Sequence, residues 1–319
     1  MARPWERLRR GLLLVVVLAF ACGVTRPAAA AGEPVVVATI HPLTAIAREL
    51  AGNWIDGHTL LPPGASPHTF EPRPGQMRTL AGASLIIAVG QGLDDWALQL
   101  ARSAQRADVL LVGDEVAAAG LGIDFSGDEE HHHGEPAEDP HRHGGAIDPH
   151  VWLDPVLVRD VIAPAIARRL AAVLPGREAE IEANLRAFQE ELSRLDADIA
   201  RLLSFPGSKA FISYHSAWRY FARRYGLEEV ATVAGFPGRE PSARWVADVV
   251  RTAREHGVTV IFAEPQLSPK AAETIAREIG GRVLMMDPIG GPGLAGRERY
   301  SDLLRYNAGM LADALAAAR

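Results

Sequence analysis

Three histidines, His68, His150 and His215, each stand in a loop that follows an apolar, strand-like run. Imidazole nitrogen is a borderline-soft donor suited to zinc, copper and nickel, and three imidazoles with one carboxylate make a four-coordinate zinc site. Asp287 follows another apolar run, Arg282-Val283-Leu284-Met285-Met286, and supplies the candidate carboxylate. His68 lies between Pro67 and Pro72, which stiffen its loop and limit the entropy lost when a metal is taken. His150 belongs to Asp148-Pro149-His150-Val151-Trp152-Leu153-Asp154-Pro155, where Asp148 or Asp154 can orient the imidazole or cap the helix that follows. His215 ends Phe211-Ile212-Ser213-Tyr214. Ligands of open parallel α/β sheets bind beyond the carboxyl ends of strands, and His68, His215 and Asp287 occupy such positions. The four residues are expected to form one metal site.

A second group of donors differs in kind. Ser126–Gly145 holds six acids, five histidines, four glycines and two prolines, with no large apolar residue. Such a segment cannot bury enough surface to offset its ordering entropy and is expected to be a mobile loop. Its histidines, His131, His132, His133, His141 and His143, suit weak, exchangeable metal contacts rather than a rigid cage. His41 reads as a polar strand-end residue, and His58 and His256 as surface positions. Glu240-Pro241-Ser242 and Glu264-Pro265-Gln266 resemble helix-start turns whose acids bind backbone N–H groups. Asp94-Asp95-Trp96 suits a helix start as well.

These residues need a scaffold, and the apolar pattern supplies one. Val35–Ile40, His58–Leu61, Leu85–Val89 and Val109–Val112 read as strands, with helices over Pro42–Ala51 and Leu93–Ala104. The same rhythm returns at Lys209–Ser213, Val230–Val233, Val258–Phe262 and Val283–Met286. Strands alternating with helices indicate parallel sheets, so the fold class is α/β with two lobes of similar size. Between them, Ile181, Leu185, Phe188, Leu192, Leu195, Ile199 and Leu202 alternate spacings of four and three, the stripe of an amphipathic helix. A helix from about 177 to 203 at about 1.5 Å per residue spans ~40 Å, enough for a stiff spine along both lobes. The expected organisation is an N-terminal lobe over 32–155, a linker over 156–206 that includes the helix, and a C-terminal lobe over 207–319.

The start of the chain has its own character. Arg3, Arg7, Arg9 and Arg10 precede the apolar run Gly11–Ala21, and small residues follow to Ala31. That is the pattern of a secretory signal peptide over residues 1–31, with cleavage near Ala31 and export to the periplasm. The sole cysteine, Cys22, lies in this leader; Ala19-Phe20-Ala21 before it lacks the leucine and small-residue pattern of a lipid-anchored cysteine. Without the leader, five of the 33 basic and one of the 39 acidic residues are gone, leaving 28 against 38 and a net charge of −10. That balance argues against nucleic acid as a partner. No cysteine remains for a disulfide or a thiolate ligand.

Taken in order, the His68 loop, the Asp148–Pro155 segment after a His-rich acidic tract, the turn Tyr214-His215-Ser216-Ala217-Trp218, Phe262–Pro269 and Leu284–Gly290 resemble the zinc-specific solute-binding proteins of ABC importers, the ZnuA-like branch of the periplasmic metal-binding family. The similarity runs from about Val35 to the C-terminus. It implies two α/β lobes joined by one long helix, with the metal in the cleft between them. By position, His68, His150 and His215 match the family's histidine ligands and Asp287 its acidic fourth position. The resemblance also implies a monomer in the periplasm that binds Zn2+ as cargo, delivers it to an inner-membrane ABC permease and has room for a zinc chaperone as donor. A surface metal-binding adhesin or a zinc store of the same fold is the alternative. A zinc hydrolase is disfavoured, since the chain has no HExxH and no nucleophile in a recognisable motif.

Overall fold

The computed structural model describes residues 32–104, 108–124, 147–206 and 208–317. The leader expected over 1–31, with Cys22, lies outside them, as do His131, His132, His133, His141 and His143. Strands β1 (Val35–Ala38), β2 (Asp56–Thr59), β3 (Leu85–Ala88) and β4 (Asp108–Leu111) form a parallel sheet in the order β2-β1-β3-β4. Strands β5 (Ala210–Ser213), β6 (Glu228–Thr232), β7 (Val260–Ala263) and β8 (Arg282–Met285) repeat that plan as β6-β5-β7-β8.

The apolar strands are continuous because both faces of each sheet are covered. Val36, Ala38, Leu85 and Ile87 point into one large core, while Val37 and Ile86 point into a smaller one. In the second sheet, Phe211, Val260 and Phe262 join the large core, and Ile212, Ile261 and Ala263 face another. The period-two alternation thus divides each strand between two cores. Helices α1 (His41–Ala51), α2 (Pro74–Ala81), α3 (Asp95–Ala104) and α4 (Val112–Ala118) belong to the first half.

The spine helix α7 runs over Glu178–Leu202, and Ile181, Phe188, Leu192, Leu195 and Ile199 are buried along it. Leu202, expected on the same stripe, is exposed, because the helix ends there and Leu203 takes the buried place. The residues just before it are more than a linker. α5 (Pro155–Leu157), a π-helical turn (Val158–Ile162) and α6 (Ala163–Val173) form a nearly continuous helical run, and α6 packs on α1, β3 and β4. After β5 come α8 (Arg219–Tyr225), α9 (Ala243–Glu255), α10 (Lys270–Ile279) and finally α11 (Tyr300–Ala317), which packs on α7 and touches α1. Both halves therefore share the large core through α7. Among the described residues, no helix is long and apolar enough to cross a membrane.

Candidate metal centre

His68 is held by a loop that α3 braces from one side. Trp96 Nε1 donates to Pro67 O at 3.3 Å, and the Phe70 ring meets Trp96 edge-on at 4.9 Å. From the second half, Gly238 comes close over the same loop. Its φ is +87°, and a Cβ there would stand 2.6 Å from Thr69 Cγ2, so only glycine fits. His68 itself is half-buried, with Phe236 at 6.2 Å between ring centroids.

His150 and His215 are deeper. Asp148, fully buried, accepts from both the backbone N–H of His150 at 2.9 Å and its ring Nδ1 at 2.8 Å. Asp154 takes the other role anticipated for this segment: its Oδ1 accepts from Val156 and Leu157 N–H at the start of α5, and Arg224 pairs with it at 3.0 Å. His215 follows β5, and its Nδ1 lies 2.7 Å from Glu264 Oε1. Glu264 follows β7, the strand paired beside β5, so the two loops emerge as neighbours. Glu264 is thus no helix-start cap; it is a buried carboxylate aimed at an imidazole. Ser242, by contrast, does cap α9, accepting from Trp245 N–H.

Each carboxylate fixes a tautomer. With Nδ1–H donating to Asp148 or to Glu264, the lone pair of His150 and of His215 stands on Nε2. Burial lowers the His215 pKa, but the charge and hydrogen bond of Glu264 outweigh it and leave the ring above its ordinary value.

The three Nε2 atoms converge. His150 Nε2 is 3.3 Å from His68 Nε2 and 3.3 Å from His215 Nε2, with ring centroids 5.1 to 5.4 Å apart. In the neutral tautomers that these carboxylates favour, the Nε2 atoms of His150 and His215 face each other with lone pairs. Their contact is a donor set for a cation, not a hydrogen bond. Among the described residues, these three are the group of histidines and acids whose ligand atoms all lie within 4.8 Å of one another.

Asp287 is not brought into that group. It is buried, Arg297 Nη1 donates to its Oδ2 at 3.0 Å, and its Oδ1 accepts from Ile289 N, Gly290 N and Gln266 Nε2. Its charge and lone pairs are already matched inside the protein. His41 is buried with Nε2 2.8 Å from Glu298 O, which takes it out of solvent; His58 pairs with Asp56 at the surface, and His256 is exposed at the end of α9. Asp94 precedes α3 as expected, yet its buried carboxylate serves the strand ends, accepting from Thr39 Oγ1 and from Val89 and Gly90 N–H.

Known proteins resemble the chain over most of its length. The profile of the family "ZnuA: Zinc-uptake complex component A periplasmic" matches residues 36–314. The chain is 30% identical over 268 residues to the zinc-binding protein AdcA of Streptococcus pyogenes, covering 82% of this chain and 52% of AdcA, so it spans about half the length of those relatives. It is 29% identical over 283 residues to the high-affinity zinc uptake system protein ZnuA of Bacillus subtilis, covering 88% of this chain and 87% of that one. A crystal structure of a ZnuA deletion mutant with zinc bound superposes with a TM-score of 0.73 at 30% identity, covering 89% of this chain and 98% of that chain. The chain belongs to the ZnuA family of zinc-uptake complex components.

Proposed function

We propose that this protein captures one Zn2+ on Nε2 of His68, His150 and His215 and hands it to the membrane permease of an ABC importer. It would do so as a monomer in the periplasm, after removal of residues 1–31 near Ala31, and without catalytic turnover. The observation that carries the reading is the 3.3 Å spacing of the Nε2 atoms. Two nitrogens each about 2.0–2.1 Å from a tetrahedral zinc are ~3.3–3.4 Å apart. All-nitrogen donors without a carboxylate in the cluster also favour zinc over manganese. Zinc is named in the relatives, and their zinc comes to this chain by family membership.

The test is metal analysis and titration calorimetry of the untagged mature chain, with Mn2+ as competitor. One tight equivalent of zinc, not displaced by manganese, is expected. His150→Ala should weaken it by about a hundredfold or more, beyond what loss of an orienting partner costs. An unchanged affinity in a variant that melts normally would remove His150 from the site.

A further inference from the structure

Three imidazoles leave one position of a tetrahedral zinc open, and Asp287 does not reach it. The residue between Asp287 and the cleft is Gln266, which lines the same cleft as His68, His150 and His215. It sits two residues after Glu264, on the loop that leaves β7. Its Nε2 donates to Asp287 Oδ1 at 2.8 Å. Because the acceptor is a carboxylate already receiving Ile289 and Gly290 N–H, only the NH2 end of the amide can face it. The carbonyl end, Oε1, is then turned the other way. It is buried and has no partner within the protein. A buried amide oxygen calls for a donor, and a metal-bound water is a strong one.

We infer that Gln266 Oε1 accepts a hydrogen bond from the water that completes zinc coordination, with Asp287 acting behind it as the clamp on the amide. Asp287 is then a positioning residue rather than a ligand, and Arg297 holds it in turn. This rests on the zinc reading above, and it adds a residue that sets the fourth coordination position. Glutamine in this role supplies a neutral acceptor, so the bound cation keeps its water instead of gaining an anionic ligand.

The full chain, stripped with chelator and reloaded, provides the test. Zn2+ affinity is measured by chelator competition, and the visible ligand-field bands are recorded with Co2+ in place of zinc. Gln266→Leu keeps the volume and removes the acceptor. Its zinc affinity should fall by about 10–100-fold, its Co2+ bands should shift, and the melting temperature of the metal-free form should hold. If that variant melts early, Gln266→Met, unbranched and of the same length, replaces it. An unchanged Co2+ spectrum, with or without lost affinity, would overturn the inference. Failure of the wild-type chain to take one zinc would instead sink the zinc reading, and this inference with it.

Discussion

At the scale of single residues, each deep histidine is a ring held by a carboxylate at one nitrogen so that the other is free to donate its lone pair. Behind His215 lies a further acid. Glu229 Oε2 accepts from Ser216 Oγ at 2.9 Å, and its Oε1 lies 2.5 Å from Ser213 Oγ. Ser213 has a single hydroxyl hydrogen, and that oxygen also lies 2.8 Å from His215 O, which can only accept. Both contacts are satisfied when Glu229 is the protonated partner and donates to Ser213. The same conclusion follows from burial, which pushes the Glu229 carboxyl up to about 7 against the pull of the two serines. A carboxyl raised in the folded state gives stability that is complete below its unfolded pKa near 4.5 and is lost as pH rises through about 7. Glu229→Gln carries no such loss. In metal-free melts, the variant should match the wild type near pH 4, gain on it between about pH 4.5 and 7, and hold that gain up to pH 8. A constant difference across that range would show that Glu229 is ionised throughout. Glu229 sits in unremarkable sequence, and Glu264 stood in a turn read as a helix start; their roles exist only once β6 and β7 flank β5. His68 and His215 were legible from the apolar strand runs before them, and His150 from its segment Asp148–Pro155.

Among elements, the connection that matters most to the site is α8 against the segment around His150. Tyr220, fully buried on α8, donates its hydroxyl to Asp148 O at 2.9 Å and accepts from Ile123 N at 3.0 Å. Burial raises its pKa to about 12, so the hydroxyl stays a donor. One side chain of the second half thereby fixes the backbone of the residue that orients His150. Tyr220→Phe leaves a buried carbonyl and a buried N–H without that partner, at about 1–3 kcal/mol. Thermal unfolding should show that loss, and stopped-flow chelation should show faster zinc release. Unchanged release would mean that Asp148 needs no support from α8. The eight strands and α7 were visible in the sequence as β-branched runs and as a three-four apolar stripe. Such patterns exist because burial on two faces, or along one stripe, selects the residues. The helical run from Pro155 to Val173 falls almost wholly in the segment expected as a linker, after the aspartates expected to cap a helix; Pro155 and Pro164 both stand near helix starts, where proline is tolerated. Asp287 stands apart from the three imidazoles for a related reason. Its place after β8 is where ligands sit, but Arg297 and Gln266 reach it from loops whose approach no local pattern encodes.

For the whole molecule, the two sheets share one core, and the halves are also joined beside the site by buried hydrogen bonds. Trp152 Nε1 donates to Pro288 O at 2.7 Å, and Tyr300 OH donates to Trp152 O at 2.8 Å. The His150 segment is thus anchored from the second half. The described residues on either side of the histidine-rich stretch are paired: Asp124 and Ile147 form an antiparallel bridge, and Asp148 N donates to Ile123 O at 2.8 Å. Because Asp124 and Ile147 are bridge partners, a short linker can join the two sides of the histidine-rich stretch. Tethered weak donors raise the zinc concentration near a site without forming it. Replacing residues 126–145 with such a linker should preserve the single tight equivalent, abolish any weaker equivalents in calorimetry, and slow loading from dilute zinc. Loss of the tight equivalent together with the stretch would mean that at least one primary ligand comes from His131, His132, His133, His141 or His143, and that the three converging imidazoles are not sufficient.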